Sequence, residues 1–532
     1  MNLAWNLETA LWDHPNKIAV IDAVGGCEYS YQQLATTVNQ IGNHLREDWQ
    51  VKENDIVCTL MADNYWHMAS MYALLKLGAV FSGLNRSHQV SKLAQDIETT
   101  QCKLLIVDND YLDMAKQLQK SAPDLTVILC DEGTDFQRNV ATASTELRMV
   151  PRNQDDLATI NFTAGTTGTS KGVMFSHGSL GISVQNSIHW SGIAAKDRIV
   201  APISFFHSGG ISDAIRSVMA KATLIWLNGW DAERAMDVIE KYRPTWFHFM
   251  VPTMLRDMMA RPRYSDLDLS GIKVHLAGEV VPADIQQEIC ERGMRAINFY
   301  GMTETMPCII CSTSMYYEDD LHPVSGSSGK PNREYGEIKL IDPATGIELS
   351  DPHQQGEVLF RGDIVTQGYY RNPEKTAEAI DQDGWLHTSD LAHKDVNGYF
   401  YISGRTDDII SSGAEKLSLL EIEEAIRDCS IVQDLGVVGV AHERFGESPA
   451  AFVVTNDSST SEAELKATIG DYLVDRLEKW KRPRLYIKVD SIPRTLAKRT
   501  KMGHLLKEKL KDVQLKNTDS VLTLTDYRAK YD

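Results

Sequence analysis

Residues 163–172 read Thr163-Ala164-Gly165-Thr166-Thr167-Gly168-Thr169-Ser170-Lys171-Gly172, and the apolar run Leu157–Phe162 leads straight into them. The pattern is a strand feeding a loop of glycines and hydroxyls that closes on a lysine. Glycine lets backbone N–H groups approach an anion closely, and successive N–H groups form an anion-binding concavity. The hydroxyls add donors and Lys171 adds a charge, so the loop suits a polyphosphate. It is not a Walker A loop, because Ser170 rather than glycine precedes the lysine and Gly172 follows it. A flexible surface loop has the same composition, so the rest of the chain has to decide between the two.

Upstream of the loop, Trp66–Lys76 reads as a helix and Gly78–Phe81 as a strand. Lys103–Val107 and Leu125–Cys130 are short apolar runs between polar helical stretches. The style returns downstream at Ile199–Pro202, Thr223–Leu227, Trp246–Val251 and Lys273–Ala277. This alternation predicts an α/β fold, with a large N-terminal domain of doubly wound parallel sheets covered by helices. After residue 330 the texture changes. Glu337–Ile341 and Gly356–Arg361 are short strands between Asp-Pro and Gly turns, as in a small distorted β-barrel. Beyond Asp407 a helix (Leu420–Asp428), two strands (Leu435–Val440, Ala450–Val454), a helix (Ser461–Leu477) and a strand (Leu485–Val489) make a small α+β domain. The predicted domains are therefore residues 1–406 and 407–532. The last twenty residues are polar and are expected at the periphery.

A chain of 532 residues exceeds one ordinary core and predicts two to four domains. With 43% hydrophobic and 24% charged residues, the composition is that of a globular protein. A net charge of −19 excludes nucleic acid as a general partner, since phosphate backbones need a basic face. No signal peptide is read at Met1-Asn2-Leu3-Ala4-Trp5-Asn6, and no run is long and apolar enough for a membrane span. Eight scattered cysteines suit reduced thiols in a cytoplasmic protein. Cys308 and Cys311 form a C-x-x-C pair, but no second pair or histidine completes a zinc set, so packing is the favoured role.

Three further segments suit nucleotide chemistry. In Asn298-Phe299-Tyr300-Gly301-Met302-Thr303-Glu304-Thr305 a carboxylate in a glycine-kinked turn, with a hydroxyl beside it, suits a hard cation such as Mg²⁺. Taken alone, Glu304 also reads as a solvated carboxylate. Asp390, ending Trp385–Asp390, suits the two hydroxyls of a ribose or a helix N-cap. Arg405 in Gly404-Arg405 offers a guanidinium to a phosphate or ribose.

Taken in order, these segments resemble the adenylate-forming superfamily of acyl-CoA synthetases, stand-alone adenylation enzymes and luciferases. The resemblance covers about residues 8–510. It rests on Lys76–Val80, the 163–172 loop, Phe206-His207-Ser208-Gly209-Gly210, Tyr300–Glu304, Gly368-Tyr369-Tyr370-Arg371-Asn372-Pro373-Glu374-Lys375-Thr376, Gly384–Asp390 and Gly398–Asp408. It implies a reaction in two halves. A carboxylate attacks the α-phosphate of ATP to give an acyl-adenylate and pyrophosphate; a thiol then attacks the activated carbonyl and expels AMP. It further implies that Thr163, Ala164, Gly165, Thr166, Thr167, Gly168, Thr169 and Lys171 hold the β- and γ-phosphates. Thr303 would contact the α-phosphate and Glu304 would bind Mg²⁺. Asp390 would hold the ribose with Arg405 nearby. Gly278-Glu279-Val280 and Asn298-Phe299-Tyr300-Gly301-Met302 would flank the nucleotide. His207 matches a gate beside the carboxylate. Asp407 sits at the hinge about which relatives rotate a mobile C-terminal lid. Ser412, Gly413 and Ala414 would face the thiol acceptor, and Phe445 would contact CoA.

The chain departs from the resemblance near its end. Relatives carry a catalytic lysine in Pro-x-Thr-x-x-Gly-Lys, whereas this segment is Pro493-Arg494-Thr495-Leu496-Ala497-Lys498-Arg499-Thr500-Lys501. Arg499 falls at the lysine position, and Lys498 or Lys501 would supply the ammonium if the loop shifts; arginine is bulkier and planar. Phe206-His207-Ser208-Gly209 lacks the aspartate that pairs with an α-amine, so an α-amino acid is disfavoured. The acyl pocket is expected from Phe206, His207, Ile211, Phe247, Met250, Ala277 and Met302, with Tyr300 and Gly301. Most are apolar, as in ligand pockets generally. The expected substrate is a small to medium apolar or aryl carboxylate, with ATP, Mg²⁺ and CoA. The alternative acceptor is the phosphopantetheine of a carrier protein; a luciferase-like oxygenase and a nucleotide-binding protein without ligase turnover stand further off. The sequence sets no oligomeric state.

Overall fold

The computed structural model describes residues 2–131, 133–163, 170–277, 281, 283–306, 310–311, 326–331, 335–406, 409–412, 415–443, 445–493, 503–515 and 521–531. They form two compact units. The first holds residues 1–339, 359–388 and 394–401, and the second holds 340–358, 389–393 and 402–532. Three stretches ahead of the expected division after residue 406, namely 340–358, 389–393 and 402–406, group with the C-terminal residues.

Two mixed sheets build the first unit. One runs Thr126–Leu129, Leu104–Val107, Ile56–Leu60, Val80–Gly83, Leu157–Thr163, Lys171–Ser176, parallel except for the last pair. The other has a parallel centre in the order Arg295–Tyr300, Lys273–Leu276, Trp246–Met250, Arg198–Ala201, Thr223–Trp226, Ile18–Asp22. Between them lie the helices Tyr31–Glu47, Tyr65–Leu77, His177–Ser191 and Ser208–Met219. A single core joins Phe81 and Phe175 of the first sheet, Leu74, Val184 and Ile215 of the helices, and Ile199 and Trp226 of the second sheet. The second sheet's other face packs Phe247 and Val274 against Met236, Ile239 and Leu255 of the helices Ala232–Tyr242 and Pro252–Met259. Leu93, Ile97 and Leu118 cover the first sheet's other face. The result is a stack of helix, sheet, helix, sheet and helix layers, as the βα alternation predicts.

The helix Tyr65–Leu77 shows how local sequence sets this up. It has apolar residues on every side, with His67, Ser70 and Lys76 the exceptions, so it belongs between layers rather than on a surface; every residue except Trp66 is buried. Asn64 caps it by accepting from His67 N at 3.0 Å. Gly78 ends it at φ 72°, a left-handed conformation that glycine adopts without a Cβ penalty.

The short-strand region forms a five-stranded sheet in the order Glu348–Leu349, Glu337–Ile341, Gly356–Arg361, Leu386–Lys394, Phe400–Arg405. In the C-terminal part of the second unit, the long strands Val432–His442 and Gly446–Thr455 pair antiparallel. The helices Leu419–Arg427 and Glu462–Tyr472 cover one face through Ile422, Ile426, Leu465 and Ile469. The tail corrects the sequence reading. Leu522–Thr523 adds a strand beside Leu485–Lys488, and Tyr527 is buried with Phe452, Leu510 and Leu515 on the sheet's other face. Its polar average conceals a few apolar residues, and those are the ones that seal that face.

Candidate active site

Thr163 and Lys171 are direct partners across an antiparallel pair, so the opening loop is a hairpin connection. Ala164, Gly165, Thr166, Thr167, Gly168 and Thr169 lie outside the described residues. A Walker A loop passes from strand to helix; this one passes from strand to strand, and Lys171 stands at its foot.

Two distant segments converge on that lysine. The first is the turn Met302–Met306, where Ser183 Oγ donates to Met306 O at 2.6 Å and Met302 N donates to Thr305 Oγ1 at 3.2 Å. These bonds hold Thr303 and Glu304 in place, both buried. The second is the strap 366–371, laid along the strand that follows the loop. Met174 N donates to Gly368 O at 2.9 Å, and Tyr370 N donates to Gly172 O at 2.7 Å. Between them Tyr369 OH donates to Glu304 Oε1 at 2.8 Å, while Lys171 Nζ stands 4.8 Å from the centre of the same ring. Thr366 N also donates to Glu304 O at 2.8 Å. One tyrosine thus links Lys171, at the foot of the loop, to the carboxylate of the turn. Sequence reasoning gave Tyr369 no role, although it lies in a quoted motif. Its neighbour Gly368 was the available signal: at φ 114° a Cβ there would stand 2.4 Å from Thr376 Cγ2, so the strap admits only glycine.

The segment leading to His207 is clamped from outside. Asp63 Oδ1 accepts from Phe205 N at 2.9 Å, and Asp63 Oδ2 takes Arg86 Nη2 at 2.8 Å. Arg86 also donates to Ser204 Oγ at 3.2 Å and, through Nη1, to Asn228 Oδ1 at 3.0 Å. His67 packs its ring 4.4 Å from that of Phe205 and holds Thr59 Oγ1 at 2.8 Å. Burial pushes its imidazole down to about 4, so it is neutral at ordinary pH. His207 Nδ1 accepts from Gly209 N at 3.2 Å, which fixes the ring at the start of the helix Ser208–Met219.

The expected acyl-pocket residues divide. Phe206 and His207 are half-buried and Ile211 is fully buried on that helix. Ala277 touches both cores flanking the second sheet. Asn298, Phe299 and Tyr300 end the strand Arg295–Tyr300, next to Gly301 and Met302. Phe247 and Met250, however, pack with Ile239, Leu255 and Met258 around a small cavity under the outer helices. Between them Phe249 takes φ 48°, which breaks the strand's alternation.

In the second unit Arg405 Nε lies 3.6 Å from Asp390 Oδ1. Ser389 precedes Asp390 at φ 57°, and its N–H donates to Glu357 Oε1 at 3.0 Å. Ser412 pairs with Gly446, so it stands one residue from Phe445 in register. Arg484 lies 4.7 Å over the ring of Phe445. Gly278, Glu279, Val280, Asp407, Gly413, Ala414, Lys498, Arg499 and Lys501 lie outside the described residues. Among the described residues no three His, Cys, Asp or Glu side chains cluster as a ready-made metal site, none of the cysteines is in a disulfide, and no helix is long and apolar enough to cross a membrane.

Residues 7–370 match the model of the AMP-binding enzyme family, and residues 421–498 match the AMP-binding enzyme C-terminal domain. An indoleacetate–CoA ligase of Aromatoleum aromaticum is 29% identical over 88% of this chain and 91% of its own. A 2-succinylbenzoate–CoA ligase of Bacillus pumilus is 30% identical over 93% and 96%. The crystal structure of an anthranilate CoA ligase in complex with anthranoyl-AMP superposes with a TM-score of 0.85 at 26% identity, covering 96% of this chain and 97% of that one. The chain belongs to the AMP-binding enzyme family, within the adenylate-forming superfamily. It is an AMP-forming acid–thiol ligase: it activates a carboxylic acid with ATP as an acyl-adenylate, then passes the acyl group to CoA.

Proposed function

We propose that this ligase acts on a small to medium apolar or aryl carboxylic acid, and that the Lys171–Tyr369–Glu304 chain is the centre of its adenylation half. That chain is the observation that carries the reading, because it joins the phosphate loop, the turn and the strap at one place. Adenylation is chiefly a matter of positioning and charge neutralisation. Lys171 and the 164–169 loop hold the departing pyrophosphate. Thr303 meets the α-phosphate. Asp390, braced by Arg405, takes the ribose hydroxyls. His207 borders the carboxylate, and its clamped loop holds the acid in line with the α-phosphate.

Glu304 fits a Mg²⁺ ion. One of its carboxylate oxygens takes Tyr369 OH, which orients the other, and Thr303 adds a hydroxyl beside it. The ion supplies charge neutralisation on the phosphates when bound. Lys498 or Lys501, in place of Arg499, supplies the ammonium of the adenylation half. The thiol half uses residues 407–532, with Asp407 as hinge, Ser412 to Ala414 at the passage and Phe445 against CoA; the register of Ser412 beside Gly446 supports the last two together. The eight cysteines, scattered rather than spaced as a disulfide framework, support a cytoplasmic location.

The test is a carboxylic-acid panel assayed for AMP with and without CoA. AMP release that needs both an apolar or aryl acid and CoA is the expected outcome. Adenylate that forms yet fails to reach CoA points to a carrier-protein acceptor. No acid-dependent turnover across the panel overturns the reading.

A further inference from the structure

The long strands Val432–His442 and Gly446–Thr455 meet in a tight hairpin, with His442 and Gly446 as its last register pair. So short a connection calls for a residue in the left-handed region, and Gly446 supplies it at φ 76°. At the near side of the turn, Glu443 N donates to Leu515 O at 2.8 Å. Leu515 belongs to the short strand Gln514–Leu515, which pairs parallel with Ala441 and His442. At the far side, Phe445 N donates to His442 Nδ1 at 3.2 Å. His442 is buried, at 3% exposure, whereas Phe445 is only half-buried. The histidine is therefore set in the fold, and the ring it holds is left partly open to solvent.

Local bonds from a side chain to a nearby backbone N–H are usually made by Ser, Thr, Asn or Asp. Histidine makes this one through Nδ1, so the imidazole is neutral and carries its proton on Nε2. Its ring also lies against the ring it positions, with centres 4.7 Å apart at 43°. Arg484, just ahead of the strand Leu485–Lys488, places Cζ 4.7 Å over the Phe445 ring. One histidine thus fixes both the backbone and the side chain of Phe445. On the neighbouring strand Ile409–Ser412, Ser412 pairs with Gly446, so the turn stands beside the residue assigned to the thiol passage. The adenylation residues named above include nothing in this turn.

We propose that His442 is a positioning residue of the thiol half: its Nδ1 and its ring hold Phe445 ready for CoA, and the adenylation half does not depend on it. The inference rests on the placement of Phe445 against CoA above. Its logic is preorganisation. A loose hairpin tip orders its aromatic ring only when the ligand arrives, and that ordering weakens binding. A bond already made in the free enzyme removes the penalty.

The test uses full-length His442→Asn, His442→Gln and His442→Phe. Asparagine keeps an acceptor where Nδ1 stands, glutamine carries its acceptor one atom further out, and phenylalanine keeps a ring without an acceptor. KM for CoA is expected to rise about three- to tenfold in His442→Phe and His442→Gln, the worth of one neutral hydrogen bond. It stays within about twofold of wild type in His442→Asn. The acid-dependent pyrophosphate burst without CoA keeps its rate in all three. Added to Phe445→Ala, His442→Phe raises KM for CoA no further, because the ring it positions is gone. An unmoved KM in both His442→Phe and His442→Gln overturns the proposal and leaves the ligase reading standing. Equal losses in the two halves, or effects that add in the double variant, do the same. If His442→Phe does not fold, His442→Gln against His442→Asn decides. An unchanged KM for CoA in Phe445→Ala defeats the placement of Phe445 together with this inference. No acid-dependent AMP from the wild type, with any acid, defeats the ligase reading as well.

Discussion

At the residue scale, the account turns on Tyr369. Its hydroxyl orients Glu304 and its ring faces Lys171, so it serves two groups of opposite charge at once. A hydrogen bond to a charged group contributes roughly 1.5–3 kcal/mol. Tyr369→Phe keeps the ring beside Lys171 and removes only the bond to Glu304. It is expected to lower acid-dependent pyrophosphate release by about tenfold or more in protein that is still fully folded at the assay temperature. An unchanged rate would mean that Glu304 needs no such brace. Asp63 makes a second case, because it joins Arg86 to the backbone of Phe205. Asp63→Asn weakens the clamp on the His207 loop, so KM for the acid is expected to rise more than KM for ATP. Equal rises in both would contradict that local role.

At the element scale, the helix Tyr65–Leu77 ties stability to pH through His67. Its imidazole is held down to about 4 in the folded protein, against about 6.5 when exposed. A folded-state value depressed in this way means that the unfolded chain binds the proton first. The stability that neutral His67 supports is therefore complete above about 6.5 and is lost as pH falls toward about 4. Between pH 7 and pH 5 this one residue accounts for about 2 kcal/mol. Denaturation midpoints at the two pH values should drop less in His67→Gln than in the wild type; equal drops would place the proton elsewhere. This helix was legible in the sequence because a helix with apolar residues on every side has one place to go, and Trp66–Lys76 grew by only a residue at each end. The parallel strands were legible for the same reason, as short apolar runs between helices. The strap 366–371 was not. It is irregular backbone, and its importance comes from pairing with a strand nearly two hundred residues earlier. Phe247 and Met250 went to the outer core because the alternation that assigns faces breaks at Phe249, and no sequence pattern marks a left-handed phenylalanine. His442 escaped notice because a lone histidine at the end of an apolar strand reads as packing.

At the scale of the whole molecule, the order of motifs along the chain carried the chemistry. The loop and the turn lie within the family match over residues 7–370, and Asp390 and Arg405 fall between it and the match over residues 421–498. The segment 493–501, whose sequence departs from the family pattern, sets the remaining test of the adenylation half. Lys498→Ala or Lys501→Ala is expected to remove most adenylation, measured as acid-dependent pyrophosphate release. Full activity in both, with loss in Arg499→Ala, would assign the charge to the arginine instead. The central claim is that one chain makes an acyl-adenylate and then discharges it to a thiol. Mass spectrometry of the enzyme with acid and ATP, before and after addition of CoA, tests this most directly. The account predicts acyl-AMP in the first sample, and acyl-CoA with AMP in its place in the second. ATP left intact in both, with acids across the panel, would contradict it.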